Sequence, residues 1–263
     1  MKPNKLRQLL NEDKPSIAHH VASTSPDVVE IIGRAGGVDY VEFVAEYMPY
    51  DLHSLDNFGR ALELTGMSGM IKVDQENKTY TAGRALGSGL QNILFSDTRT
   101  VEEARECVQA VRAETPQTGG RHGAADRRFA GFGLETGGPA YVQALEDSVV
   151  ALMIEKREAV ENLEEILSVG GIDMIVFGAN DYSMSIGRPG AARDPEIQKI
   201  RDRVFETALA MGVQPRAEIN APEDAKPFLE MGVRHFAIGT DLIVLYRWLD
   251  ANVSSLRDMV ENA

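Results

Sequence analysis

The chain has 263 residues, enough for one sizeable core, and α/β barrels are commonly this long. Forty acidic residues outweigh 27 basic ones, and a net charge of −13 argues against a nucleic acid or an anionic membrane as partner, while leaving room for a local cationic pocket. The single cysteine, Cys107, excludes an internal disulfide framework and a cysteine-based zinc site. No run approaches the ~20 apolar residues of a membrane span, so a soluble cytoplasmic protein is expected.

In chain order, "MKPNKLRQLLNEDK" reads as a short polar amphipathic helix without the apolar core of a signal peptide. Apolar, β-branched runs then alternate with segments of helical period. The predicted strands are 16–22 "SIAHHVA", 38–44 "VDYVEFV", 68–73 "SGMIKV", 91–95 "QNILF", 148–154 "SVVALMI", 172–178 "IDMIVFG", 213–219 "VQPRAEI" and 234–239 "RHFAIG". Between them lie helices such as "PDVVEIIGRAG", "TVEEARECVQAVRA", "REAVENLEEILSVGG", "PEIQKIRDRVFETALAMG" and "PEDAKPFLEMG", several opening on an acidic turn or proline and closing on glycine. Eight strand–helix units predict one (β/α)₈ barrel domain over 1–263; an open doubly wound sheet is the competing architecture.

Residues 113–147 break the rhythm with nine glycines or prolines and a cluster of arginines. A loop of this length inside a compact domain is usually functional. In a barrel it is expected after strand four, at the C-terminal catalytic face, where Arg121, Arg127 and Arg128 would meet an anionic substrate. The other reading is a solvated loop with ordinary surface arginines.

Two acids stand at strand ends. Glu155 closes the run "SVVALMI", and Asp181 follows "IDMIVFG" by three residues. In a barrel they lie on neighbouring strand ends at one face and are candidate ligands for a hard divalent cation, Mg²⁺ or Mn²⁺, with water and substrate oxygens completing the shell. A 2-oxo acid chelates such an ion through its carboxylate and keto oxygens, and the ion stabilises the enolate formed on C–C cleavage. Acidic residues at helix starts are the alternative explanation. Gly178 and Ala179, just before Asp181, allow backbone amides to approach a substrate carboxylate. Of the adjacent His19 and His20, one faces the barrel interior, because successive strand residues point to opposite sides.

The stretch "ALMIEKREAVENLEEILSVGGIDMIVFGANDYSMSIGRPG" resembles the metal-binding half of the HpcH/HpaI aldolase family. Further likeness comes from "SPDVVEIIGRAGGVDYVEF", a "GGRHG" loop and "FLEMGVRHFAIGTDLIVL". These are class II pyruvate-type aldolases acting on 4-hydroxy-2-oxo acids such as 2,4-dihydroxyheptenedioate and 2-keto-3-deoxy sugar acids. The resemblance implies a (β/α)₈ barrel, a divalent metal on Glu155 and Asp181, and substrate-carboxylate contacts from the backbone of Gly178, Ala179 and Asn180. It also implies a homo-oligomer, a hexamer or trimer of dimers, with a terminal helix exchanged between barrels.

The departures from that pattern are specific. The family's acid–histidine dyad after strand two is replaced by Val44 and Tyr47, its arginine after strand three by Lys72, and the glutamine two before the metal glutamate by Met153. Glu46 persists where the family serves the metal's water shell. Lys72 keeps a positive charge as a point charge, and a Schiff-base role is its alternative. Tyr47 is a candidate proton donor or a wall of the pocket. By alignment with the family, His20 borders the substrate and is the candidate for a relocated general base, against a structural role. His53 and His122 are weaker candidates, and His235 is expected to be structural. Three functions remain open: a metal-dependent lyase forming or cleaving a C–C bond of a 2-oxo acid through an enolate, a decarboxylase using the same electron sink, and a non-catalytic binding barrel.

Overall fold

The computed structural model describes residues 1–263. Eight parallel strands close into a barrel in sequence order: β1 (Ser16–Val21), β2 (Tyr40–Phe43), β3 (Ser68–Val73), β4 (Asn92–Phe95), β5 (Val149–Ile154), β6 (Met174–Phe177), β7 (Gln214–Ile219) and β8 (His235–Thr240). Every predicted strand is present within two residues of its expected bounds. Strands β2 to β6 are buried at every position, as their continuous apolar runs require when helices cover one face and the barrel interior lies behind the other.

The interior holds a cluster that includes Ala18, Tyr40, Met70, Leu94, Ala151, Met174 and Ala237, while a larger cluster fills the layer between strands and helices. The N-terminal helix α1 (Lys5–Asn11) plugs the lower end, with Leu6 in the interior cluster. Its approach is fixed by Asn4 donating to Asn92 Oδ1 at 2.7 Å and Arg7 forking onto Asp173 at 2.7 Å. Between β1 and β8 the register shifts from Ala18 to His20. That irregularity sets His19 against the Ile238 carbonyl at 2.7 Å and leaves His20 facing the mouth.

The covering helices include α2 (Pro26–Ala35), α3 (Leu52–Thr65), α4 (Lys78–Ser88), α5 (Val101–Val111) and α10 (Pro195–Ala210). Capping boxes start α3 at Asp51–Ser54 and α5 at Thr100–Glu103. Two expected helices are interrupted. The run from 157 is split into α7 (Arg157–Glu161) and α8 (Leu163–Leu167) at Asn162, and the run from 222 begins as a 3₁₀ turn before α11 (Lys226–Met231).

The expectation for 113–147 needs correction. Helix α5 separates this segment from β4 and returns the chain to the opposite end, so the excursion leads into β5 from the N-terminal face. It contains a 3₁₀ turn, Arg128–Gly133, and α6 (Pro139–Glu146). Arg128 bonds Glu63 at 2.9 Å and the Ser88 carbonyl, at the far ends of α3 and α4, and Arg127 reaches Asp56 and Ser88. Arg121 uses its amide to bond the Gln109 carbonyl at 2.7 Å. None of the three lines the mouth of its own barrel.

Candidate active site

The C-terminal strand ends surround a cavity of about 1200 Å³. One side carries the predicted metal ligands. Glu155 follows β5 directly and is 1% exposed. Its Oε1 accepts the Asp97 amide at 2.9 Å, and its Oε2 is buried with no hydrogen-bond partner. Burial pushes the carboxyl up to about 7, although the nearby Lys72 ammonium pulls the other way. Gly178 makes room for this side chain, since a Cβ there would stand 2.5 Å from Oε2.

Asp181 sits in the first turn of α9 (Ala179–Ser185), one strand along, and its charge also raises the Glu155 pKa. Lys156 Nζ lies 2.5 Å from Asp97 and 3.3 Å from Asp181, which ties the acids into one cluster. Asp97 itself holds a left-handed backbone, φ 55°. An all-oxygen pair, an orphaned buried oxygen and a cradle without a Cβ fit a hard divalent ion, provided that the Lys156 ammonium gives up Asp181 to it. Gly178, Ala179 and Asn180 line the cavity beside this pair, but only Ala179 and Asn180 offer first-turn amides without a partner; the expected Gly178 contact needs correction, because its amide donates to the Ile154 carbonyl at 3.2 Å.

Lys72, on β3, points into the mouth and is almost completely buried. Its Nζ lies 2.6 Å from Glu46 Oε2, donates to Tyr47 Oη at 2.8 Å and sits 4.7 Å over that ring. Burial alone would lower its pKa, but Glu46 and Tyr47 hold the proton and raise it. Both contacts favour the ammonium over the free amine that a Schiff base requires, so the geometry suits Lys72 to the point-charge role. Tyr47 lies at the rim, 59% exposed. Desolvation of its hydroxyl pushes the phenol up to about 12, so it stays a donor.

The opposite wall carries charges that spacing along the chain does not bring together. Arg216 of β7 is fully buried and pairs with Glu42 of β2 and, at 3.2 Å, with Glu218. Burial resists ionisation of Glu42, yet Arg216 and then His20 keep its carboxyl below the usual range. His20 Nε2 lies 3.6 Å from Glu42 and 3.5 Å from Glu218. A period-two signal was present, because Arg216 and Glu218 share one face of "PRAEI".

The remaining histidines stand apart from the mouth. His53 is exposed in the first turn of α3, and burial lowers the pKa of His122 on the rear excursion. His235 contacts Ser16 Oγ at 2.8 Å at the lower end, and burial brings it down to about 4.

Parallel strands in a closed barrel, with carboxylates and a buried ammonium meeting at their C-terminal ends, define a (β/α)₈ protein of the enzyme type. The chain belongs to the HpcH/HpaI aldolase/citrate lyase family, whose model matches residues 17–247. It is accordingly a carbon–carbon lyase by class, and the reading as a mere binding barrel is set aside. It is 28% identical over 240 residues to a 5-keto-4-deoxy-D-glucarate aldolase of Shigella boydii serotype 18, covering 91% of each chain. Among solved structures it is similar to the citrate synthase SbnG, with TM-score 0.84 and 25% identity over 98% of this chain and 99% of that one. An HpcH/HpaI aldolase/citrate lyase family protein from Burkholderia cenocepacia J2315 shares the fold at TM-score 0.87, with 24% identity over 97% and 99% of the two chains. No helix is long and apolar enough to cross a membrane.

Proposed function

We propose that this chain is a divalent-metal-dependent lyase that cleaves or forms the C–C bond of a 4-hydroxy-2-oxo acid, with Glu155 and Asp181 holding Mg²⁺ or Mn²⁺. The observation that carries this reading is the partnerless, buried Glu155 Oε2 packed against Gly178, a carboxylate oxygen desolvated at a cost and satisfied by nothing in the protein. The aldolase relative supports the reaction class, and the citrate synthase supports C–C chemistry on this fold. When bound, the ion supplies a Lewis acid for the carboxylate and keto oxygens of the 2-oxo acid.

The protein's own groups do the rest. The amides of Ala179 and Asn180 receive the substrate carboxylate, while that of Gly178 stays bonded to the Ile154 carbonyl at 3.2 Å. Lys72, held charged by Glu46, sets a fixed positive charge beside the oxygen where negative charge develops. His20, on the facing wall, takes the proton of the C4 hydroxyl on cleavage or returns it on condensation, and Tyr47 donates from the rim. The test is pyruvate release from a panel of 4-hydroxy-2-oxo acids with Mg²⁺ or Mn²⁺. Turnover lost in Glu155→Ala supports the reading, and no turnover of any member counts against it.

A second reaction is favoured by one observation: Val44 and Tyr47 offer no base after β2. Decarboxylation of a β-oxo acid needs an electron sink and no base, so CO₂ release from oxaloacetate without pyruvate-yielding aldol turnover would select it. The assembly we propose is a homo-oligomer. Helix α12 (Asp241–Glu261) has no buried residue, yet it exposes Tyr246, Trp248, Leu249, Val253, Leu256 and Met259 along its length. A second copy of the chain is the proposed cover, and a monomer in sedimentation at micromolar concentration would contradict it.

A further inference from the structure

We propose a second cation site on the wall facing Glu155, in which His20, Glu42 and Glu218 bind Zn²⁺. This goes beyond the lyase reading and shares only His20 with it. The three ligand atoms lie within 4.8 Å of one another. The distances from His20 Nε2, 3.6 Å to Glu42 Oε1 and 3.5 Å to Glu218 Oε1, are too long for hydrogen bonds. They are close to the ~3.3–3.4 Å that separates two ligands each about 2.0–2.1 Å from a tetrahedral ion.

The imidazole supports the same conclusion. Its Nε2 is buried and has no hydrogen-bond partner, so a polar ring nitrogen is withdrawn from water without compensation. Arg216 engages Glu42 through Oε2 and leaves Oε1 free toward the histidine. Hydrogen-bonding the outer oxygen of a ligating carboxylate is the usual way in which a metal ligand is oriented. Arg216 also reaches Glu218 Oε1 at 3.2 Å, the same oxygen that lies 3.5 Å from His20, so the ion shares that oxygen with the guanidinium on a side chain that is 40% exposed at the cavity. Two carboxylates and one guanidinium leave a net charge of −1 for an incoming dication. The fourth position then opens on the cavity, as in a zinc site that keeps water.

Ligand chemistry separates the two sites. Glu155 and Asp181 present only oxygen and suit Mg²⁺ or Mn²⁺, whereas an imidazole with two carboxylates selects a later first-row ion. Water on such an ion loses its proton near neutral pH. A bound Zn²⁺ would supply a water as proton acceptor there, with His20, Glu42 and Glu218 holding the ion.

The experiment uses the full chain stripped with chelator, equilibrated with Zn²⁺ or Co²⁺ and desalted. The expected result is one Zn²⁺ retained per chain and a visible Co²⁺ band of tetrahedral intensity, both preserved in Glu155→Gln. His20→Ala and Glu218→Gln should each weaken retention about 10–100-fold. Glu218 is partly exposed, so its variant keeps the test open if His20→Ala fails to fold. No Zn²⁺ retained by wild type overturns the proposal, as does retention unchanged in both variants or lost only in Glu155→Gln. Metal retention is read without substrate, so a failed pyruvate assay leaves this result standing.

Discussion

Removing the Glu155 charge should stabilise the metal-free protein in a pH-dependent way. The carboxyl is 1% exposed, and burial raises its pKa from 4.5 to about 7. Below pH ~4.5 it is neutral in both folded and unfolded chains and exacts no penalty. As pH rises through 7 the folded chain must carry a desolvated carboxylate, and stability is lost. At pH 8 the penalty approaches about 3 kcal/mol, and at pH 5 it is below about 1 kcal/mol, at 1.36 kcal/mol per pKa unit. Glu155→Gln removes this penalty and keeps an oxygen to accept the Asp97 amide. In thermal melts with EDTA the variant should exceed wild type by roughly 5–10 °C at pH 8 and by far less at pH 5. Saturating Mg²⁺ with pyruvate should reverse the order, because only wild type gains the binding energy. An advantage that is equal at both pH values, or a variant less stable than wild type at pH 8 in EDTA, would refute the reasoning.

Three further outcomes follow from single contacts. Gly178→Ala brings a Cβ to 2.5 Å from Glu155 Oε2, so Mn²⁺ affinity by calorimetry should fall at least ~10-fold with the circular dichroism spectrum unchanged. Lys72→Met removes the fixed charge beside the reacting oxygen, and kcat should drop by about 10²–10³ with a smaller effect on KM. Arg216→Met strands Glu42, itself 1% exposed, and should cost about 3–5 kcal/mol in urea denaturation. Adding Glu42→Leu should recover most of that loss, and a double variant as unstable as the single one would show that the pair is not what matters.

The barrel was legible because a strand covered on both faces needs an unbroken apolar run, and "SVVALMI" or "GMIKV" has few other uses. Glu155 and Asp181 were legible for a related reason: a carboxylate at the end of such a run emerges at the mouth. The arginine-rich excursion was misplaced because its direction depends on whether a helix intervenes after β4, and α5 does. Lys156 was hidden because spacing along the chain does not reveal that its ammonium folds back onto Asp97 and Asp181. Glu42, Arg216 and Glu218 come from strands five apart in sequence order and adjoin only once the barrel closes through β8 and β1. Asn162, where one expected helix becomes two, lies inside a run whose apolar period continues across it.

The central claim is that Glu155 and Asp181 jointly seat one divalent ion that accepts a 2-oxo acid. Titrating Mn²⁺ into the full chain with pyruvate, and following free Mn²⁺ by its paramagnetic resonance, measures that directly. Wild type should bind one ion per chain more tightly with pyruvate than without it, and Glu155→Gln and Asp181→Asn should each abolish that binding. Unaltered Mn²⁺ affinity in both variants would contradict the account.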